Sequence, residues 1–228
     1  MTILWNSALK QKPTLFFPSP CCPEHITFYR KEDDADWFNL YHYYDPLLEP
    51  ELRETFRRIQ EERGFSKCGT THLQIKVRFQ RPRPFQVATL LGKQGVRPLR
   101  SISAGSSALC SGHAFQALLS LGAVAEYVYL NNIPLTSSSH KALRQLAVDI
   151  GDRRVFAAIH NPSDNIASWI LAMSLADHVF RIREVKRWLW TAIVKQSLVY
   201  RVVEQEEAFA SSLHLLREVA GDIRFVAH

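Results

Sequence analysis

An all-α fold, a single-domain helical bundle of about six to nine helices, is what the 228-residue sequence predicts. Apolar residues recur at helical spacing in several segments bounded by Pro, Gly, Ser or Asp. No stretch alternates apolar and polar residues in the manner of a half-buried strand, and no internal repeat is visible. Hydrophobic residues at 46% and charged residues at 22% are the composition of a chain that buries one core, which this length allows.

The elements follow in order. Residues 1–48 are rich in Pro, aromatics and mixed charge and read as an irregular N-terminal arm; residues 49–228 form the helical domain. Pro50, ELRETFRRIQEER and Gly64 spell a helix, with Pro in the first turn, Gly past the end, and Leu52, Phe56 and Ile59 on one face. Thr71 to Gln80 forms a short helix that stops at Arg81-Pro82-Arg83-Pro84, because proline lacks a donor and restricts the residue before it. A Gly/Ser-rich loop, Ser101 to Ser107, leads to Cys110-Ser111-Gly112-His113. After it, Phe115, Leu118, Leu119, Gly122 and Ala123 predict a helix apolar nearly all round. Asn131 to Ser139 is a polar loop in which Ser137 to Ser139 offer caps for a helix from about Lys141 to His160, with Gly151 its weak point. Pro162 breaks the chain, and Ser163 or Asp164 caps a helix through Phe180. One or two further helices reach about Val219.

A net charge of +6 and a pI near 9.3 suit an anionic partner, and suit plain solubility equally. Cys21, Cys22, Cys68 and Cys110 match no zinc spacing, and a chain of this length has no need of disulfides; they fit a reducing compartment. Lys10, Lys12 and Pro13 interrupt any signal-peptide core. No window of about 18 residues reads as a membrane span. The nearest, Ser101 to Ala125, lacks Asp, Glu, Lys and Arg but carries many Ser and Gly with His113 and Gln116. The expected location is cytoplasmic.

Three segments are read together for chemistry: Lys76-VRFQRP-Arg83-Pro84, Ser111-Gly112-His113, and Arg154-VFAAI-His160-NPS-Asp164. Each has a plain alternative: solvated charges, a satisfied core histidine, a simple His–carboxylate pair. Jointly they fit phosphoryl chemistry. Lys76, Arg83 and Arg154 are three cations for the charge on the phosphoryl oxygens. Ser111 and Gly112 stand before a helix, where free N–H groups and the dipole favour anions. Two histidines allow one neutral nucleophile and one protonated acid, and Asp164 can orient and stabilise His160 if a turn at Pro162 brings the two together.

These residues resemble the type 2 phosphatidic acid phosphatase and vanadium haloperoxidase superfamily. Its pattern is Lys, six residues, Arg-Pro; then Pro-Ser-Gly-His; then Ser-Arg, five residues, His, three residues, Asp. Lys76, Arg83 and Pro84 match the first element, Ser111, Gly112 and His113 the second, and Arg154, His160 and Asp164 the third, over about residues 70 to 175. Cys110 stands where the pattern has proline, and Arg153 where it has serine. The resemblance implies that residues 49–228 are a phosphatase-like catalytic domain hydrolysing a phosphate ester or diphosphate. It makes His160 the nucleophile that becomes phosphohistidine and His113 the acid and then the base. Lys76, Arg83, Ser111, Gly112 and Arg154 would bind the phosphoryl oxygens. No metal or other cofactor is expected; vanadate enters only if the same site serves a haloperoxidase, with His160 as vanadium ligand. A basic binding module is the remaining alternative, without a nucleic-acid-binding motif to support it. The expected partner is a phosphorylated small molecule or lipid-derived substrate and not a nucleic acid; homo-oligomerisation is left open.

Overall fold

The computed structural model describes residues 70–93, 96, 98–99 and 101–221, except the side chains of residues 102 and 103. The arm at 1–48 and the helix expected after Pro50 lie outside the described residues. Within them, eight α-helices follow one another: α1 Thr71–Phe79, α2 Pro84–Leu90, α3 Gly112–Leu130, α4 Ser137–Phe156, α5 Pro162–Val179, α6 Arg183–Gln196, α7 Leu198–Val203 and α8 Ala210–Ala220. Short 3₁₀ turns fall at Ile102–Gly105 and Glu207–Phe209, and no strand occurs among the described residues. The fold is all-α, as the sequence predicts.

The central element is α3. Its buried residues, among them Phe115, Leu118, Leu119, Leu121 and Val124, point in every direction around the axis, because α4, α5 and α6 all pack against it. Two glycines set how closely they approach. A Cβ on Gly151 of α4 would stand 2.6 Å from the Ala114 Cβ of α3, and one on Gly122 of α3 would stand 2.6 Å from the Phe180 ring after α5. Gly151, read from sequence as a weak point of its helix, is instead the contact that lets α3 and α4 touch. The gain in packing offsets its propensity cost of about 1 kcal/mol. The core continues through Trp169 and Met173 of α5, Trp188 and Leu189 of α6, Tyr200 of α7 and Leu213 of α8.

Several boundaries differ from expectation for identifiable reasons. The four-residue Arg81–Pro84 segment both ends α1 and starts α2, since Pro84 at the first helical position gives up only an N–H the helix does not use. Thr136, not Ser137 to Ser139, caps α4, accepting from the Ser139 N–H at 3.1 Å. That helix ends at Phe156, four residues short of His160, and a turn at residues 157–160 closes with the Ile159 and His160 N–H groups on the Arg154 carbonyl, at 3.2 and 3.1 Å. Asn161, neither Ser163 nor Asp164, caps α5; Asp164 sits three residues on and completes a reciprocal capping box. The C-terminal part holds three α-helices where one or two were expected, because the break at Ser197 divides an apolar stretch into α6 and α7.

Candidate active site

The site forms where the first turns of α3 and α5 meet the α1–α2 corner. Ser111 caps α3 with its hydroxyl, accepting from Ala114 N–H at 3.3 Å. Its own N–H donates to the Asp164 carbonyl at 3.3 Å. The Ser168 hydroxyl is 2.8 Å from the carbonyls of both Ser111 and Asp164, tying the two helix starts together. Gly112 follows, under the His72 imidazole of α1; a Cβ there would meet that ring at 2.9 Å. Backbone this close to a neighbouring side chain admits only glycine.

Helix α1 supplies Lys76 on the face that it buries. Its ammonium donates to the Ser107 carbonyl at 2.6 Å, and the Ser107 hydroxyl returns a bond to the Lys76 carbonyl at 2.7 Å. Burial, then the charge of Arg83, lowers the Lys76 pKa to about 8. Arg83, almost completely buried, donates from Nε to the Ser106 carbonyl at 2.9 Å. Its Nη1 donates to the Ile159 carbonyl at 2.8 Å and reaches His160 Nε2 at 2.9 Å.

That last contact fixes the tautomer of His160. A guanidinium only donates, so Nε2 must accept and the ring proton lies on Nδ1. From there it faces Asp164 Oδ2 at 3.3 Å. His160 is therefore neutral, with the lone pair of Nε2 turned toward the cations. Its pKa falls to about 4: burial and the charges of Arg83 and Lys76 outweigh the opposing hydrogen bond and charge of Asp164. Asp164 has no exposed surface. It accepts from the Asn161 N–H at 2.7 Å on Oδ2, and from Arg81 Nη1 at 2.9 Å on Oδ1. Burial works to raise its pKa, but the hydrogen bond and charge of His160, the Asn161 N–H and Arg81 overcome it and leave the carboxyl below its ordinary value.

Lys76, Arg83, Ser111, Gly112, His160 and Asp164 are thus linked through these bonds and contacts. Arg154 lies buried in the last turn of α4 with its carbonyl on the His160 turn, and His113 occupies the second position of α3, half-buried, one residue beyond Gly112. Sequence reasoning missed Arg81, which also donates to the Ser163 hydroxyl at 2.8 Å; the two anchoring serines Ser106 and Ser107; Ser168; and His72. The signal for Arg81 lay two residues before Arg83 in the same cationic run. The serines were visible only as a loop composition, without a hint that their carbonyls would hold two cations.

Buried cations beside a neutral, carboxylate-held histidine and two helix N-termini form an arrangement whose chemistry suits an oxyanion, carried on a helical bundle. The profile of the PAP2 superfamily matches residues 64–188, more than half of the chain and the whole of this site, and the chain belongs to that superfamily. Neither a curated protein nor a solved structure matches it. Among the described residues, no helix is long and apolar enough to cross a membrane.

Proposed function

We propose that the protein is a metal-independent phosphatase that hydrolyses a phosphate ester or diphosphate through a phosphohistidine on His160. The observation that carries this reading is the state of His160: neutral, proton on Nδ1 toward Asp164, lone pair on Nε2 among cations. A nucleophile of this kind needs no base to strip it before it attacks.

The steps follow from the residues. As the phosphoryl group enters, its oxygens take over donors of Lys76, Arg83 and Arg154 and the N–H groups at the start of α3. Arg83 Nη1 leaves Nε2 for a phosphoryl oxygen, which frees the lone pair. Nε2 forms a bond to phosphorus, the bond from phosphorus to the ester oxygen breaks, and His113 gives that oxygen a proton. The imidazole now carries phosphate on Nε2 and hydrogen on Nδ1, a cation that Asp164 stabilises. Water then attacks phosphorus as His113 takes its proton, the bond from nitrogen to phosphorus breaks, and phosphate departs. The three cations and the backbone donors balance the charge a metal ion would otherwise meet, so turnover is expected to survive a chelator.

The two histidines are expected to fail differently. His160→Ala removes the nucleophile and abolishes both turnover and the covalent intermediate. His113→Ala retains the first step with para-nitrophenyl phosphate, whose leaving group needs little protonation. Rapid mixing of this variant is expected to give a nitrophenol burst and a trapped phosphate that mass spectrometry assigns to His160. Label on His113, wild-type turnover by His160→Ala, or halide oxidation with vanadate and peroxide in place of hydrolysis would each overturn the proposal.

A further inference from the structure

Asp164 accepts more bonds than its pairing with His160 requires. Its Oδ2 takes the Asn161 N–H at 2.7 Å, Asn161 Nδ2 at 3.3 Å and His160 Nδ1 at 3.3 Å, while Oδ1 takes Arg81 Nη1 at 2.9 Å. The His160 contact is longer than those of the Asn161 N–H and Arg81, and longer than the roughly 2.8 Å of a charge-assisted bond. The carboxylate therefore holds the imidazole loosely and the guanidinium closely.

Arg81 is anchored on both sides of this contact. Its backbone carbonyl accepts the Ala108 N–H at 2.8 Å, on the segment that leads to Ser111. The same Nη1 donates to the Ser163 hydroxyl at 2.8 Å, in the first turn of α5. Residue 81 thus ties its own segment to the other two that carry the site. Its side chain is 37% exposed, whereas those of Asp164 and His160 are buried. Arg81, Asp164 and His160 form a line with a wet outer end and a dry inner one.

Charge along that line has two opposed effects on phosphoryl transfer. A carboxylate makes the imidazole more basic, which favours the bond from Nε2 to phosphorus and stabilises the cation that results. The same stabilisation slows the second step. There the oxygen of water bonds to phosphorus, the bond from Nε2 to phosphorus breaks, and its electron pair returns to Nε2. A cation on the far carboxylate oxygen draws charge outward and weakens the hold on the imidazolium. We propose, resting on the phosphohistidine chemistry above, that Arg81 is a positioning residue that acts through Asp164 and shortens the life of the phosphohistidine on His160. A guanidinium that only neutralised a buried carboxylate would support both steps alike.

The test is made in full-length His113→Ala, where the phosphate is expected to stay on His160 long enough to time. Arg81→Gln is added to remove the charge, and Arg81→Lys to keep it. Rapid mixing with para-nitrophenyl phosphate times the nitrophenol burst, and mass spectrometry of quenched samples times the decay of the phosphohistidine. With Arg81→Gln the decay is expected to slow about tenfold, the effect of roughly one pKa unit on the departing imidazole, while the burst does not slow. With Arg81→Lys both rates are expected to stay within about threefold of His113→Ala alone. Burst and decay slowed by the same factor, an unchanged decay, or a lysine variant no better than the glutamine one would overturn the proposal. So would a glutamine variant that fails to fold, which would make the charge a structural need of Asp164.

The second readout requires no substrate. With histidine labelled by nitrogen-15, the His160 Nδ1–H proton of ligand-free Arg81→Gln is expected to resonate downfield of the parent's, because a carboxylate relieved of Arg81 is the stronger acceptor. An upfield or vanished resonance would mean that Arg81 merely holds Asp164 in place. If His113→Ala alone forms no phosphohistidine, the phosphatase reading falls, and the proton resonance still decides whether Arg81 acts on His160 through Asp164.

Discussion

Asp164 and Asp152 invite comparison. Both are fully buried, and each holds the N-terminal turn of a helix: Asp164 that of α5 through the Asn161 N–H, Asp152 that of α7 through the Leu198 and Val199 N–H groups at 2.8 and 3.2 Å. Their surroundings are opposite. Asp164 faces His160 and Arg81, and its pKa is pulled below the ordinary value. Burial, with the neighbouring Asp149, pushes Asp152 up to about 7, against the bonds from Ser197, Val199 and Leu198. A buried carboxylate costs several kcal/mol unless a cation or donors compensate. At Asp164 the compensation includes His160 and Arg81; at Asp152 it is donors and, near neutral pH, a proton. Equal burial therefore yields a carboxylate that works on a neighbour and one that only holds the frame.

The largest effect expected from breaking this contrast is at Asp164. Asp164→Asn keeps the volume, but Oδ2 meets both the Asn161 N–H and His160 Nδ1 while Oδ1 takes Arg81, so the amide NH2 must face one of these donors. In either orientation His160 loses the carboxylate charge that would stabilise its cationic, phosphorylated form. Loss of kcat by about 10⁴-fold is expected, with a far-UV spectrum unchanged. Steady-state kinetics on para-nitrophenyl phosphate would check it. A loss under tenfold would reduce Asp164 to a cap like Asp152.

Next is Arg153, which replaces the serine of the family pattern. Its Nη1 lies 3.6 Å from Asp149 Oδ2, in a contact with almost no exposed surface. Arg153→Ser removes a cation beside Asp149 and deepens the acidic character around Asp152. It is expected to cost about 3 kcal/mol, or roughly 10 °C in melting temperature for a chain of this size. Asp149→Asn added to it should recover much of the loss, as thermal denaturation of the two variants can show. A neutral single variant would mean that the acidic pair needs no cation.

These two carboxylates also mark how far the sequence could be read. Asp164 was legible because three spaced motifs place it four residues after His160, and proline between them forces a turn. Central α3 was legible because nothing charged interrupts it before Glu126. Asp152 was not: its partners are Ser197, Leu198 and Val199, more than forty residues away, and no local pattern encodes such a contact. Helix α1 was predicted over nearly its true range, but its burial was not readable, because the site inverts the usual rule and draws Lys76 inward. Cap identities failed by one to three residues, since Thr136 and Asn161 compete with equally suitable neighbours.

Smaller in magnitude, and dependent on pH, is the effect at Asp152. A carboxyl whose folded pKa is raised contributes stability that is fully present below its unfolded pKa of 3.8 and is lost as pH rises through about 7. Asp152→Asn carries no such proton. Its melting temperature relative to the parent is therefore expected to climb between pH 5 and pH 8. An Asp164 variant should not follow this trend, because a depressed carboxyl loses stability as pH falls. A constant difference across the range would show that Asp152 titrates normally.

The smallest effect concerns the turns that present the two caps. The chain reaches Asp164 through residues 157–160, where Ala158 has φ +59°, a left-handed conformation that costs a residue with a Cβ about 1 kcal/mol. The turn bonded to Asp152 has no such residue: Ser197 sits at φ −69°. The left-handed residue accompanies the turn before Asp164 and is absent from the one bonded to Asp152. Ala158→Gly relieves the left-handed cost, but it frees the unfolded chain by about 0.4–1 kcal/mol and empties the space of a buried methyl. The terms nearly cancel, so stability should change by less than about 1 kcal/mol. Activity should hold, since the Arg154 carbonyl and Asp164 still fix His160. Ala158→Val, with a branched Cβ in the same conformation, should lose 2 kcal/mol or more. Denaturant midpoints for the two variants decide the matter: equal losses would place the cost in packing around residue 158 and not in the backbone.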